Sequence, residues 1–412
     1  MSDPIGDDDM KIDPGDIVEI IELDENIDGN REEQLLNDLN EMDFEHYEDG
    51  DDLEPGREEE GATAEPERDD SKVTFSKHKG SVFCVASSPN CEFVVTGGED
   101  DKAYVWSLDN GEHHFETEGH EDSVVACGFS HTGKYLATGD MAGNVKVWSM
   151  AGKELKCSLE CGDMEWMKWH PSADVLIAGS CDGDVWMWKV PSGECRTFSG
   201  PGCACTCGVV LPDGKHVAVG YENGSLRVWD LKTAASILTM KKVHSESVTC
   251  IDCNKDGSIL ATGSTDVQTK VISIHSKKEL FSVSCLSNKP PEEDSVESVV
   301  FSSTHPYLAT GTLAGVVTIW DLSSQTPRLT CNHDAGIVKL RWDPSAPYIC
   351  SCTLDGAVNL WDARNGKREF QWLGHTTEIL DFDFTRDNKS LVTASGDGTA
   401  KVFRRQKEPS NA

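Results

Sequence analysis

From residue 71 onward one pattern of apolar and polar positions recurs along the chain. A short apolar strand leads to a turn that carries His. Two strands of alternating apolar and polar residues follow, the period-two signature of half-buried β structure. Then comes a turn with Asp or Asn and Gly, and a strand that ends in Trp. The clearest copies are GHEDSVVACGFSHTGKYLATGDMAGNVKVW, NHDAGIVKLRWDPSAPYICSCTLDGAVNLWD and GHTTEILDFDFTRDNKSLVTASGDGTAKVF.

The third-strand anchors fall at Trp106, Trp148, Trp188, Trp229, Ile272, Trp320, Trp361 and Phe403, so the successive gaps are 42, 40, 41, 43, 48, 41 and 42 residues. This is the period of WD40 repeats, about 40–45 residues and four strands per blade. The pattern predicts an all-β fold, an eight-bladed WD40 β-propeller over residues 71–405, at the upper end of the usual blade number. The one long gap is accounted for by an insertion, SNKPPEEDS (287–295), ahead of the first strand of the sixth unit. The frame also predicts how the ring closes. The segment VTF (73–75) has no earlier blade to complete, and the last unit supplies only three strands. VTF is therefore expected to pair onto the last blade as its outer strand and remove the exposed edges at the seam.

The repeated polar residues form sets at fixed offsets. The fullest are His78–Thr96–Asp100–Trp106 and His333–Ser351–Asp355–Trp361. The set His375–Thr393–Asp397 lacks the Trp, and His120–Thr138–Trp148 lacks the Asp. Asp182, with the anchors Trp188 and Trp229, carries the pattern into units three and four. His beside a hydroxyl and Asp invites comparison with a catalytic triad. An active site occurs once, however, and these sets recur, so they are expected to be hydrogen-bond lattices within blades. Catalysis is not expected. Units three, four and six have no His at the turn, and the turn Asp becomes Ala142, Asn223 and Ala314 in units two, four and six. Unit five has Ile272 and unit eight Phe403 where Trp is expected, and all of these blades are expected to be the weaker ones.

Charge changes the picture at the N-terminus. The chain carries 72 acidic and 37 basic residues, a formal net charge of -35. Residues 1–70 alone hold 29 Asp and Glu against 4 Lys and Arg. Runs such as EPGREEEGATAEPERDD bury too little apolar surface to offset ordering entropy, so residues 1–70 are expected to be a disordered acidic tail. Residues 406–412 are a short C-terminal tail. Two tail segments break the pattern: IVEIIELDE (17–25), open to reading as a linear motif or as solvated chain, and LLNDLNEMDFEHY (35–47), which is read as solvated chain. So acidic a chain repels nucleic acid and anionic membranes, and its natural partner is a basic protein or peptide segment. The start, MSDPIGDDDM, is not a secretory signal, and no stretch is long and apolar enough for a membrane span. The protein is expected in the cytosol, with the nucleus as second compartment, and as a monomer.

Sixteen cysteines in such a chain are expected to be free thiols. CACTC places Cys203, Cys205 and Cys207 on one strand face, but no fourth ligand at zinc spacing accompanies them. A buried thiol row is preferred there, as for Cys250/Cys253 and Cys350/Cys352, and no metal or cofactor is expected. The turns that converge on one propeller face carry Glu99, Asp101, Glu121, Asp122, Asp140, Asp163, Glu165 and Glu222, with Trp166 and Tyr221 among them. Acidic groups beside aromatics suit Arg and Lys side chains through ion pairs and cation–π contacts, so this set is the candidate partner-binding site.

The blocks VTGGEDDKAYVW (95–106), ATGDMAGNVKVW (137–148), EWMKWHP (165–171), WMWKVPSGECRTFSGP (186–201), LPDGKHVAVGYENGSLRVWDLK (211–232) and GHTTEILDFDF (374–384) go beyond generic WD40 features. They resemble the angio-associated migratory cell protein family, over essentially the whole propeller and part of the tail. The resemblance implies a scaffold linked to cell migration and angiogenesis. A weaker similarity, to a fungal WD40 chaperone of a basic large-subunit ribosomal protein, implies a chaperone that shields such a client, as a nascent chain, during ribosome assembly. The chaperone role is the leading expectation and the signalling scaffold the alternative.

Overall fold

The computed structural model describes residues 66–285 and 289–405. They form 32 strands, β1 to β32 in chain order, one short 3-10 turn and no α-helix. The strands assemble into eight four-stranded antiparallel sheets, the blades of the propeller. Residues 1–65, with the two apolar segments at 17–25 and 35–47, and the C-terminal tail 406–412 lie outside the described residues.

Blade one shows the plan shared by the first seven. Its strands are β2 (Val82–Ser87), β3 (Phe93–Gly98), β4 (Ala103–Ser107) and β5 (His113–Glu116), ordered from channel to rim. Alternation along β2 and β3 sends one set of apolar side chains to each neighbouring blade, so the core is a ring of inter-blade layers. One such layer joins Trp106, Val94 and Tyr104 of blade one to Phe75 and Val402 of blade eight. Tight b–c turns need glycine where the backbone enters the left-handed region beside another chain. Gly143 has φ of 84°, and a Cβ there would run into the Gly162 carbonyl.

The ring closes as the repeat frame predicts. Blade eight consists of β30 (Ile379–Phe384), β31 (Ser390–Ser395), β32 (Ala400–Arg404) and, on the outside, β1 (Val73–Phe75). In register, Val73 lies opposite Val402 and Phe75 opposite Ala400. The Phe75 ring stacks on Trp106 of blade one at 5.0 Å. The grip starts slightly before the expected boundary at residue 70. Asp69 takes the Lys401 ammonium at 2.7 Å, and Asp70 exchanges main-chain and side-chain hydrogen bonds with Leu373.

The sixth unit's insertion also falls where the spacing placed it. It connects β21 (Lys278–Ser284) to β22 (Val296–Phe301) and contains the 3-10 turn Pro291–Glu293.

In seven blades the pairing of the channel-side strand with its neighbour shifts register just after the first residue, as between Val82 and Cys84, or Met164 and Trp166. Such a bulge re-aims the extra residue's side chain. In blades three and six that residue is acidic: Glu165 and Glu297.

Candidate functional site

The polar lattice is the frame that holds the turns of one face in place. In blade one His78 lies between Asp100 and Thr96, 2.9 Å from each, and the Trp106 indole donates to Thr96 Oγ1 at 3.3 Å. A neutral imidazole satisfies the chain: Thr96 donates to Nε2 and Nδ1–H donates to the carboxylate. The second Asp100 oxygen accepts the Lys79 amide. Burial alone would push the Asp100 carboxyl up. The His78 hydrogen bond and the Lys79 amide outweigh it and hold it below the usual carboxylate value. Blade eight repeats this with His375, Thr393 and Asp397 at 2.7–2.8 Å. Phe403 there offers no donor and fills the anchor position by packing alone.

Several sequence assignments are corrected by geometry. Asp140 is fully buried and takes His120 Nδ1 at 2.9 Å, so it supplies the carboxylate that Ala142 lacks. It belongs to the lattice of blade two and is out of reach of a surface partner. Tyr221 is also fully buried. Val219 replaces the strand hydroxyl of blade four, and the Tyr221 hydroxyl accepts the Trp229 indole in its place at 3.4 Å. Trp166 is 8% exposed and packs with Cys205 and Val217 between blades three and four, with one edge on the channel. Neither aromatic is an open platform for a cation.

Asp355 does not meet His333. That imidazole bonds Ser351 at 2.7 Å and the Gly315 carbonyl at 3.3 Å, while Asp355 accepts from Thr353. Asp182 is exposed and has no His to hold, and Trp188 is a core residue between blades two and three. A lattice missed in the sequence joins His244, Thr262 and Asp266 in blade five, at 2.9–3.1 Å. Its spacing matches the other sets, but the anchor is Ile272, and a search keyed to Trp passes over it. Asp266 is drawn down to about 2, burial being outweighed by the His244 hydrogen bond and charge.

Of the remaining acidic candidates, Glu99, Asp101 and Glu222 sit on b–c turns and Glu121, Asp122 and Asp163 on d–a turns of one face, while Glu165 is the bulge residue of the channel-side strand Met164–Trp169. These turns are stitched together in each blade, as by Glu99 N to Ser81 O, Cys181 N to Asp163 O and Glu222 N to Ala204 O. Glu99, Glu121, Asp163, Glu165 and Glu222 are exposed, and Asp101 and Asp122 are half-buried. The fold brings Asp163 and Glu222 each within electrostatic range of Glu165. Partial burial and the charges of Glu222 and Asp163 together raise the Glu165 carboxyl above the ordinary value. Among the described residues none of these seven carboxylates forms an ion pair. Glu99 accepts the Ser81 amide, and Asp122 accepts that of Ser123.

Beneath this mouth lies the central channel, with a cavity of about 630 Å³ over blades three to seven. Glu297 lines it at the bulge position of blade six, equivalent to Glu165, and was not singled out from the sequence. The repeat offset alone would have found it. Deeper in the channel Arg341 pairs with Asp383 at 3.3 Å, and Lys339 pairs with Asp381. Desolvation within the channel, with the like charges of Lys339 and Arg341, brings Lys168 down to about 8.

All sixteen cysteines are free. Burial pushes the Cys205 and Cys207 thiols up to about 12, so they are inert at neutral pH. Among the described residues no group of three or more His, Cys, Asp or Glu side chains is arranged so that it could hold a metal ion. No described helix is long and apolar enough to cross a membrane.

Comparison with known proteins fits this architecture. The family model described as nucleolar protein 10-like, N-terminal domain, matches residues 166–403, and the WD domain, G-beta repeat model matches 70–107 and 111–149. The human angio-associated migratory cell protein is 46% identical over 406 residues, covering 94% of this chain and 93% of that protein. The ribosome assembly protein SQT1 of Saccharomyces cerevisiae is 26% identical over 86% of this chain and 91% of its own length. A crystal structure of Chaetomium thermophilum Sqt1 bound to the N-terminus of the ribosomal protein L10 superposes with a TM-score of 0.75. It is 25% identical and covers 82% of this chain and all of that one.

Proposed function

Because the chain belongs to the angio-associated migratory cell protein family of WD40 propellers, we propose that it is a chaperone whose acidic face captures a basic, extended segment of a large-subunit ribosomal protein. The observation that carries this is the trio Asp163, Glu165 and Glu222 at the channel mouth. Glu165 is repelled by both of its neighbours, and none of the three has a cation among the described residues. An arriving Arg or Lys relieves that repulsion, so the face is primed for positive charge before the partner comes. Glu297 extends the same rim, and Glu99, Asp101, Glu121 and Asp122 continue it over blades one and two. Support for the class of partner comes from the Sqt1 structure bound to the N-terminus of ribosomal protein L10. We place the encounter in the cytosol, with the nucleus as second compartment, and the protein acts as a monomer.

The test is affinity purification from cytosol at low and moderate salt. The wild type is compared with a variant carrying Lys at Glu99, Asp101, Glu165 and Glu222. One basic ribosomal protein is expected to dominate the wild-type eluate and to disappear with the variant. Equal recovery by both forms, or no ribosomal protein at all, would reject the proposal. A scaffold for cell migration is the second reading, favoured by the 46% identity to a protein of that name. It predicts partners at the cell cortex that are not especially basic.

A further inference from the structure

The same face carries a second acidic hollow, built by the insertion of blade six and separate from the trio. In blades one, five and eight the carboxylate comes from the b–c turn. One oxygen of Asp100, Asp266 or Asp397 takes a d–a turn amide and its carboxylate also takes the lattice His. Blade six inverts this arrangement. The b–c turn offers only Ala314, and the carboxylate comes from the other side, from Asp294 of the insertion. Its Oδ1 accepts the Ala314 amide at 2.8 Å and the Ser295 amide at 2.9 Å. No His stands at this turn to serve the second oxygen. Asp294 is 5% exposed, and its Oδ2 has no hydrogen-bond partner. A buried carboxylate oxygen left without a donor is costly, and a donor that reaches it gains correspondingly.

Around Asp294 lies a cavity of about 500 Å³, bounded by Glu246, Glu292, Glu293, Thr265 and Leu313. No basic side chain lines it. Leu313, at the tip of the b–c turn, is 40% exposed and gives the hollow one apolar wall. Carboxylates at the base and rim with an aliphatic wall match one kind of guest, a long side chain with an apolar stem and a cationic head. A guanidinium suits it better than an ammonium, because its fork can serve several carboxylates at once.

We propose that this hollow, formed by Asp294, Glu292, Glu293, Glu246 and Leu313, is a second docking site that takes an arginine side chain of the basic segment. This rests on the reading of the face as a site for basic segments, and it commits that segment to a path reaching blades five and six. The path explains a use for the insertion that the propeller itself does not need.

The experiment uses the full chain with labelled leucine methyls, titrated with a blocked Gly-Arg repeat peptide and with its citrulline counterpart. The Leu313 methyl signals should shift saturably with the arginine peptide and stay still with citrulline. Affinity read at Leu313 should fall roughly tenfold in Asp294→Asn, which keeps the Oδ1 acceptor, and in the surface pair Glu292→Gln/Glu293→Gln. The surface pair carries the test if Asp294→Asn fails to fold. In Glu165→Lys/Glu222→Lys the Leu313 response should persist, since it is local. If Leu313 does not respond while signals near Trp166 and Glu165 do, the second site is rejected and the principal face stands. If Leu313 responds and the principal face does not, the reverse holds. An equal Leu313 response to citrulline, or no effect of either Gln or Asn variant, rejects the arginine site.

Discussion

In blades two and seven a buried imidazole decides how the lattice answers to pH. Burial holds His120 and His333 below the ordinary histidine value, against the opposing pull of the Asp140 carboxylate on His120 and of the Gly315 carbonyl on His333. In the unfolded chain both bind a proton near pH 6.5. As pH falls through that value the unfolded state takes up protons that the folded state refuses, so stability declines. The melting temperature should be flat from about pH 8 to 7 and fall on acidification towards pH 5. Imidazole NMR signals of His120 and His333 should titrate below those of an unfolded peptide. A melting temperature that rises over this range would contradict the assignment. Asp100 and Asp266, held low in the fold, contribute stability above the unfolded carboxylate value near 4 and lose it only at still lower pH. The corrected role of Asp140 is tested at the same scale. Asp140→Ala strips a buried imidazole of its acceptor and should cost about 1–3 kcal/mol in denaturant unfolding. Asp182→Ala removes an exposed turn carboxylate and should stay within about 0.5 kcal/mol. Equal costs would mean that Asp140 carries no more structure than the exposed turn Asp182.

Strand β1 is three residues long and closes a ring of eight blades. Phe75 and Val73 bury their side chains at the seam, and Lys401 is tied to Asp69 and Thr74. Removing residues 66–75 exposes the edge of β32 and two apolar side chains worth roughly 1.5–3 kcal/mol each. For a domain of this size that lowers the melting temperature by on the order of 10 °C and adds concentration-dependent aggregation. Removing only residues before 66 should do neither. An unchanged melting temperature in the longer deletion would mean the seam holds without β1. This closure was legible in the sequence because spacing alone determined it: eight anchors, one missing outer strand and one spare strand. Side-chain roles were less legible. Asp140 stands two residues ahead of the regular turn position, and only the folded turn shows that it still reaches His120. Tyr221 follows a turn-like glycine and reads as exposed, yet the loss of a hydroxyl at Val219 draws it inward. The lattice of His244 was hidden by Ile272, and Glu297 is readable only by carrying the offset of Glu165 over to the sixth unit, since no hydropathy pattern reports the bulge.

At the scale of the whole molecule the net charge of -35 acts on the rate of encounter before any contact forms. The residues differ in how they should enter that rate. Glu99 and Glu121 are exposed, so they contribute to the long-range field and little to the bound state. Glu165 is partly desolvated beside Glu222 and Asp163, so its pairing with a cation should persist in the complex. Charge reversal at Glu99 and Glu121 should therefore slow association with a basic peptide and leave dissociation nearly unchanged. Reversal at Glu165 should speed dissociation by roughly tenfold or more. The association rate should fall steeply with salt, since the Debye length shrinks from about 10 Å at 0.1 M to about 3 Å at 1 M. The acidic N-terminal segment has the same sign as the face and adds to the charge that a basic partner meets. Deleting residues 1–65 should therefore slow association by weakening the field and leave the dissociation rate alone. Stopped-flow fluorescence with a labelled basic peptide separates the two rates. Faster association after the deletion would show that the segment masks the face rather than steering the partner towards it.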